Sequence, residues 1–309
     1  MTVEHVHRFA LLSACKNESS VIRHTLESVI AQTEKPVEWV IVDDGSTDGT
    51  PEIIESYLGD LPFLTLIRLD AGRPRCFGSK DRAIEMGYKE IAEKEFDFVG
   101  VFDTDIGLPS KDYFREVMAA FDASPKLGIA GGVICEKEDG VFKERKINVP
   151  WSVAGCVQMF RRECYDKIGG FVPLQYGGSD TFAELQVRMN GWETRSIQGL
   201  EVYHYRPTSS AGGVLKGCFR AGMLAGSFGS HPLFMLVKCA RRLSHQPFIV
   251  GACAFWFGYV SYSLRGKERL IPDEVVKHLR NEQKGRLRAL VGGSSNHGPI
   301  SVPPVDSRA

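Results

Sequence analysis

The chain has no Cys-x-x-Cys pair, although it holds eight cysteines, at positions 15, 76, 135, 156, 164, 218, 239 and 253. Without paired spacing, a zinc ribbon and a disulfide framework both lose their signature. Reduced, mostly buried thiols in a cytosolic compartment are the expectation. An excess of one charge sign is also missing, since 38 basic residues balance 38 acidic ones. Nucleic-acid binders are usually basic overall, so nucleic acid is not an expected partner. Met1 to Phe9 carry Glu4, His5 and His7 but no apolar h-region, so a secretory signal peptide is not expected. No internal repeat is found.

What is present is a large apolar fraction, 43% of 309 residues, enough to bury a substantial α/β core. Two apolar runs each end in an acidic cluster. The first is Trp39-Val40-Ile41-Val42 followed by Asp43-Asp44-Gly45-Ser46-Thr47-Asp48. The second is Phe98-Val99-Gly100-Val101-Phe102 followed by Asp103-Thr104-Asp105. Short β-branched and aromatic runs bounded by turn residues read as buried parallel strands. Open α/β sheets bind ligands beyond the carboxyl ends of such strands. Both clusters therefore belong at the rim where chemistry occurs.

The rest of the first half alternates. Phe9–Ala14 reads as a strand, and Asn17-Glu18-Ser19-Ser20 supplies cap chemistry for a helix from Val21 to Gln32. Thr50 is expected to cap a second helix with Pro51 at its first position. Leu64–Leu69 is a third strand, and residues 79–94 form a helix ahead of the strand at 96–102. This alternation through residue 105 predicts a doubly wound parallel sheet. Strands are expected at 127–134, at 153–160 and, as two short final pieces, at Thr194–Ile197 and Glu201–Tyr203. Short helices are expected at Arg162–Ile168, closed by Gly169-Gly170, and at Ser179–Met189. Residues 292–309, rich in Gly, Ser and Pro, are expected to be disordered.

Residues 247–264 carry no charge, and Lys238, Arg241, Arg242, Arg265, Lys267 and Arg269 flank them. At ~1.5 Å per helical residue the stretch barely reaches the ~30 Å of a hydrocarbon core. Gly, Ser and Tyr dilute it further. A shallow in-plane membrane contact is the preferred reading, ahead of a packed soluble hairpin, with a true span last.

Asp103 and Asp105 place two carboxylates one residue apart at a strand end. Hard cations such as Mg²⁺ and Mn²⁺ favour oxygen ligands of this kind. A metal there could neutralise a departing diphosphate. A bare Asp-x-Asp is also a common turn, and only the strand context and the first cluster favour the metal. Asp43 and Asp44 could accept hydrogen bonds from a nucleoside, or simply form a polar turn.

Together these segments resemble glycosyltransferase family 2, the inverting, nucleotide-sugar-dependent enzymes of the GT-A fold. The resemblance runs from Ser13-Ala14-Cys15-Lys16-Asn17-Glu18 through Thr25–Thr33, Val42–Asp48 and Asp103-Thr104-Asp105. It continues in Gly169-Gly170-Phe171, Gly178-Ser179-Asp180 and Arg188-Met189-Asn190-Gly191-Trp192, and covers about residues 9–206. It implies a Rossmann-like mixed sheet flanked by helices over 1–206. A C-terminal helical extension follows over 207–291, membrane-associating in the preferred reading above, and the tail is 292–309. It also implies that Glu18 and Asp44 meet the nucleoside, with Asp43 in support. Asp103 and Thr104 join the donor-binding set. Asp103, Asp105 and His204 would hold a divalent metal, Mn²⁺ or Mg²⁺, with Asp105 the more direct ligand.

Asp180 stands where the family carries its catalytic base, usually in a Glu-Asp pair. Here that pair is Ser179-Asp180, and Glu184 one turn on is the residue that could compensate or act as base itself. Ser13 replaces a proline frequent after the first strand, a departure expected to bear only on the turn. Arg73, Arg75 and Lys80 are basic candidates for binding the diphosphate of the donor, and Trp151 for stacking an acceptor sugar, although a solvated loop and a core aromatic explain them as well.

The implied activity is transfer of a sugar from a nucleotide diphosphate sugar, of which UDP is the family's commonest form. The acceptor would be a saccharide or lipid-linked saccharide, at a cytoplasmic site peripheral to the membrane. A sugar nucleotidyltransferase is the first rival, but its usual Gly-rich opening loop is absent from Ala14-Cys15-Lys16-Asn17-Glu18. A catalytically silent binding module is the second.

Overall fold

The computed structural model describes residues 7–70, 78–145, 148–206, 213–243, 247–265 and 268–291. Arg73, Arg75 and the tail at 292–309 lie outside these residues. Contacts divide the chain into two compact units. The first holds Met1–Pro173, Ser179–Arg188 and Trp192–Arg206, and the second holds Leu174–Gly178, Met189–Gly191 and Pro207–Ala309.

In the first unit the elements follow the order β1 (Phe9–Cys15), α1 (Ile22–Ile30), β2 (Glu38–Asp43), α2 (Thr50–Leu58), β3 (Leu64–Arg68), α3 (Gly78–Ile91) and β4 (Phe98–Phe102). Then come β5 (Ile106–Gly107), α4 (Tyr113–Ala123), β6 (Leu127–Glu138), β7 (Val141–Glu144), β8 (Val157–Arg161), α5 (Arg162–Ile168), α6 (Ser179–Met189) and β9 (Glu193–His204). One sheet forms in the order β3-β2-β1-β4-β8-β6-β9-β5, with β7 beside β6. The first four strands are mutually parallel, as the alternation predicts. β8 then enters antiparallel to both β4 and β6, so the whole sheet is mixed.

Burial explains why these strands sit centrally. Phe9, Ala10, Leu11 and Leu12 of β1 are fully buried, as are Ile41 and Val42 of β2, because helices cover both faces. α3 approaches β1 and β2 closely at Gly87, where an added Cβ would already meet Leu12 and Val40 side chains at 3.4 Å. α4 buries Tyr113, Phe114, Val117, Met118 and Phe121. Its apolar positions recur at helical spacing, a signal the sequence reading passed over.

Three local expectations need correction. Ser13 lies inside β1, not in a turn, and its Oγ accepts the Trp39 indole N–H at 3.0 Å. A buried indole needs such a partner, and proline there could not supply one. Thr50 is the first residue of α2, and the cap is Gly49 at φ 83°. The two final strand pieces are one strand, β9, whose register against β6 shifts between Gly132 and Val133.

The second unit contains α7 (Val214–Ser227), α8 (Pro232–Arg242), α9 (Phe248–Leu264) and α10 (Asp273–Val291). α7 and α9 cross with backbones nearly touching. A Cβ on Gly222 would stand 1.9 Å from the Phe255 carbonyl oxygen, and one on Gly258 would stand 2.1 Å from that of Phe219. Cys218, Met235, Phe255 and Tyr259 form the small core, and the Tyr259 hydroxyl donates to the Ser230 carbonyl at 2.8 Å. Among the described residues no helix is long and apolar enough to cross a membrane.

Candidate functional site

Strand order reverses at β1, which pairs with β2 on one side and β4 on the other. Such a switch point leaves a crevice at the carboxyl ends of the strands. Cys15 to Glu18, Asp43 to Asp48 and Asp103 to Asp105 all emerge there.

At the β2 end, Asp43 is 1% exposed and accepts the Ser46 N–H at 3.0 Å and the Ser46 hydroxyl, closing the turn. The Cys15 thiol donates to it at 3.6 Å, and burial followed by the Asp43 charge pushes that thiol far up. Asp44 meets Lys16, whose ammonium lies 3.5 Å from its Oδ2 and donates to its carbonyl at 2.7 Å. The Glu18 N–H donates to Thr50 Oγ1, while the Ser19 N–H donates to Asp48 Oδ2. Asp48 accepts from Thr50 as well, and its carboxyl falls to about 2: burial opposes this, and the hydrogen bonds from Thr50 and Ser19 outweigh it. Asn17, at φ 57°, accepts the Thr47 N–H. This mesh fixes the first two loops against each other and leaves the Glu18 carboxylate in contact with the Arg206 guanidinium.

At the β4 end, Lys80 from α3 is hydrogen-bonded to Asp103. Burial opposes the Lys80 charge, but Asp103 beside it holds the ammonium protonated well above the usual lysine range. Burial and the Asp105 charge raise the Asp103 carboxyl, with Lys80 opposing. Thr104 is 3% exposed and points inward, its hydroxyl 3.5 Å from the Ala14 carbonyl. Its side chain joins β4 to β1 and does not face the rim.

Asp105 is shared by two cations. His204 Nε2 lies 3.4 Å from its Oδ1 and Arg206 Nε lies 3.3 Å from its Oδ2. β9 brings His204 there because Ile106 pairs with His204 across β5 and β9. Burial disfavours the charged imidazole, but Asp105, then Asp103 and Glu136, carry its protonation above the ordinary histidine range. His204 Nδ1 is buried without a hydrogen-bond partner, 3.6 Å from Glu136.

Asp180 and Glu184 lie on α6 but face different surroundings. Asp180 is half-buried and packs on Gly155, where an added Cβ would stand 2.4 Å from its Oδ2. Lys80 feels both Asp103 and Asp180, which links the α6 carboxylate to the β4 end. Glu184 is 3% exposed and accepts the Ser152 hydroxyl at 2.8 Å and the Val153 N–H at 2.6 Å, with Arg188 at 3.4 Å. Burial pushes it up to about 6 against those three donors. Both of its oxygens hold the loop before β8, so it is built as a support. Ser179, where an acid was missing, donates to Asp81 Oδ1 at 2.6 Å, so α3 supplies a carboxylate beside Asp180 in space. Trp151 contributes its carbonyl to Thr194 at 2.7 Å.

Sequence reasoning missed Arg206, Lys16 and Gly155. Arg206 stands two residues after His204, so its place beside Asp105 follows once β9 is recognised. The pairing of α3 with Ser179 has no signal in the linear chain.

Among the described residues, no group of three or more His, Cys, Asp or Glu could hold a metal ion unaided. The Asp105–His204 pair, whose carboxylate oxygen and imidazole Nε2 lie 3.4 Å apart, is a fitting partial donor set for Mn²⁺ or Mg²⁺. Mg²⁺ in particular is commonly held by one or two carboxylates and completed by substrate phosphates.

Comparison with known proteins matches residues 11–177 to the family described as glycosyl transferase family 2. The β-monoglucosyldiacylglycerol synthase of Synechocystis sp. is 36% identical over 121 residues, 38% of this chain and 23% of that protein. The poly-β-1,6-N-acetyl-D-glucosamine synthase of Staphylococcus aureus is 30% identical over 159 residues, 51% of this chain and 36% of that protein. The chain thus matches about a quarter to a third of these relatives' lengths. Among solved structures, the mannosyltransferase PcManGT from Pyrobaculum calidifontis, in complex with GDP-Man and Mn²⁺, aligns at TM-score 0.55 and 18% identity. That alignment covers 93% of this chain and 76% of the other. S. aureus TarS 1-349, in complex with UDP-GlcNAc, aligns at 0.52 and 14% identity over 91% and 92% of the two chains. These likenesses establish the GT-A fold.

Proposed function

This chain belongs to glycosyl transferase family 2, and from that premise we propose that it transfers a sugar, with inversion, from a UDP-sugar to an acceptor hydroxyl. The observation that carries the reading is the meeting of Glu18, Asp44, Asp103 and Asp105 at one sheet switch point, with Lys16, Lys80 and Arg206 interleaved.

Each group has a task in that reaction. Asp44 and Glu18 accept hydrogen bonds from the nucleoside, and the buried Asp43 shapes their loop. Arg206, which bridges Glu18 and Asp105, lies between the nucleoside end and the diphosphate end. Its planar fork matches phosphate oxygens, so donor binding exchanges those carboxylates for the diphosphate. Lys80 makes the same exchange from Asp103. A divalent cation held by Asp105 and His204 would add charge neutralisation on the departing diphosphate. Asp180 takes the acceptor proton as general base, held in place by Gly155 and in the field of Lys80. Glu184 and Asp81 position the segments on either side of it.

The acceptor is a saccharide or a lipid-linked saccharide reached on the cytoplasmic side of a membrane. Support comes from the names of the two curated relatives, one a glycolipid synthase and the other a polysaccharide synthase. The test is calorimetric titration with UDP, dTDP, GDP and ADP, each with Mn²⁺ and with EDTA, followed by product analysis. Metal-dependent UDP binding and glycoside formation are expected. Binding of another diphosphate alone would change the donor, and hydrolysis or nucleotidyl transfer without a glycoside would sink the reading.

A further inference from the structure

Between Glu201 and Glu268 the sequence contains no acidic residue, yet it carries Arg206, Lys216, Arg220, Lys238, Arg241, Arg242, Arg265 and Lys267. The family match ends at residue 177, before this segment begins. Chance does not readily strip acids from so long a stretch in a chain that is neutral overall.

The helices of the same segment expose apolar side chains in stripes. On α9, Ile249, Phe257 and Leu264 are 67%, 65% and 81% exposed, and Cys253 between them is also exposed. Their spacing of four, four and seven places them along one helix face. On α8 and its C-terminal cap, Leu233, Leu236 and Leu243 recur at three and seven and are about half exposed. The two stripes meet. Leu236 and Cys239 of α8 and the capping Leu243 face Cys253, Trp256 and Phe257 of α9 around an open groove of about 460 Å³. In the first unit, exposed large apolar residues are isolated: Val37, Met86, Val141 and Val172.

Contiguous exposed apolar surface marks an interaction site, whereas scattered residues need no explanation. Lys216, Arg241 and Arg265 of these helices and their ends are exposed, while Lys238 and Arg242 lie over the buried Phe255 ring, at 5.5 and 5.6 Å. Apolar insertion combined with a one-signed basic rim is the chemistry of an interfacial helix on anionic lipid. We infer that α8 and α9 form a docking surface for a bilayer bearing anionic headgroups, their apolar stripes entering the headgroup boundary and the basic residues meeting lipid phosphates. It deepens the reading of a membrane-side acceptor and rests on that reading only for its purpose, since lipid binding is measured without turnover.

The full chain is floated with vesicles of phosphatidylcholine alone and of phosphatidylcholine with phosphatidylglycerol, at low and high salt. Capture by the anionic vesicles, weakened by salt, is expected. Ile249→Ser with Phe257→Ser should abolish capture. Lys216→Gln with Arg265→Gln should lower apparent affinity by about fivefold per charge removed. Melting temperature and UDP titration serve as readouts of folding and of the donor site. Vesicle capture without UDP binding would sink the donor reading and keep this one. The proposal is overturned if neither vesicle captures the wild type, or if capture survives the apolar pair. It is also overturned if the chain is a dimer that Phe257→Ser dissociates, which would give the stripe to a second copy.

Discussion

Around the sheet, carboxylates are placed by other side chains and by backbone N–H groups: Asp43 by Ser46, Asp48 by Thr50 and Ser19, Glu184 by Ser152 and Val153. Between Glu201 and Glu268 there are no carboxylates to place, and α7 and α9 close on each other through Gly222 and Gly258. The first region spends its polar groups on geometry, because an acid at the rim works only if its direction is fixed. The second keeps backbone contact tight inside and leaves apolar and basic side chains outside. One region is built to hold charge, the other to present surface.

The largest expected effect would break the first half of that contrast. Asp180→Asn keeps the shape against Gly155 but removes the base, so turnover should fall by roughly 10² to 10⁴ while UDP affinity is retained. Steady-state kinetics with a parallel binding titration reads it. Normal turnover would mean that the proton leaves by another group, with Asp81, hydrogen-bonded to Ser179 next to Asp180, the first to examine.

Asp105→Ala should come next. It removes the partner shared by His204 and Arg206, and metal-dependent donor affinity should drop by at least the ~10–100-fold that loss of an outer-shell partner brings. Titration with Mn²⁺ present and absent checks it. Equal affinities for wild type and variant would remove Asp105 from the donor site.

Much of this was legible in the chain. β1, β2, β4 and the acids at their ends were readable because a fully buried parallel strand is a plain apolar run. Lys80 was readable only as one basic residue among several, since a helix position carries no mark of the strand end it faces. Arg206 was hidden by the reading of β9 as two short strands, which obscured that the residue two beyond His204 also meets Asp105. The antiparallel entry of β8 was also hidden, because strand direction depends on a connection through residues 127–156 that has no periodic signature. Asp81 and Ser179 are 98 positions apart, and nothing local announces their bond.

The second region is sharpened by Gly222→Ala. The new Cβ would collide with the Phe255 carbonyl at 1.9 Å, a backbone atom that no rotamer change can move. Overpacking of this kind costs about 1–3 kcal/mol. Hydrogen exchange should speed up in α7 and α9 while UDP affinity and the protection of β1 and β4 stay unchanged. Loss of UDP binding would tie the helices to the donor site.

The smallest effect concerns pH, and it is read at Glu184 in the first region. Burial lifts Glu184 to about 6 from an ordinary 4.5. An acid raised in the folded state binds its proton more tightly there than in the unfolded chain. Its contribution is therefore fully present below pH 4.5 and is lost as pH rises through about 6, amounting to roughly 2 kcal/mol. Residues 202–267 contain no carboxylate that could add to or mask this slope. Denaturant unfolding across that window should show a loss that Glu184→Gln reduces, since the amide keeps an acceptor for the Val153 N–H without a charge to bury. A slope left unchanged in the variant would assign it to another buried acid, with Asp81, raised by burial and 2% exposed, the next to change.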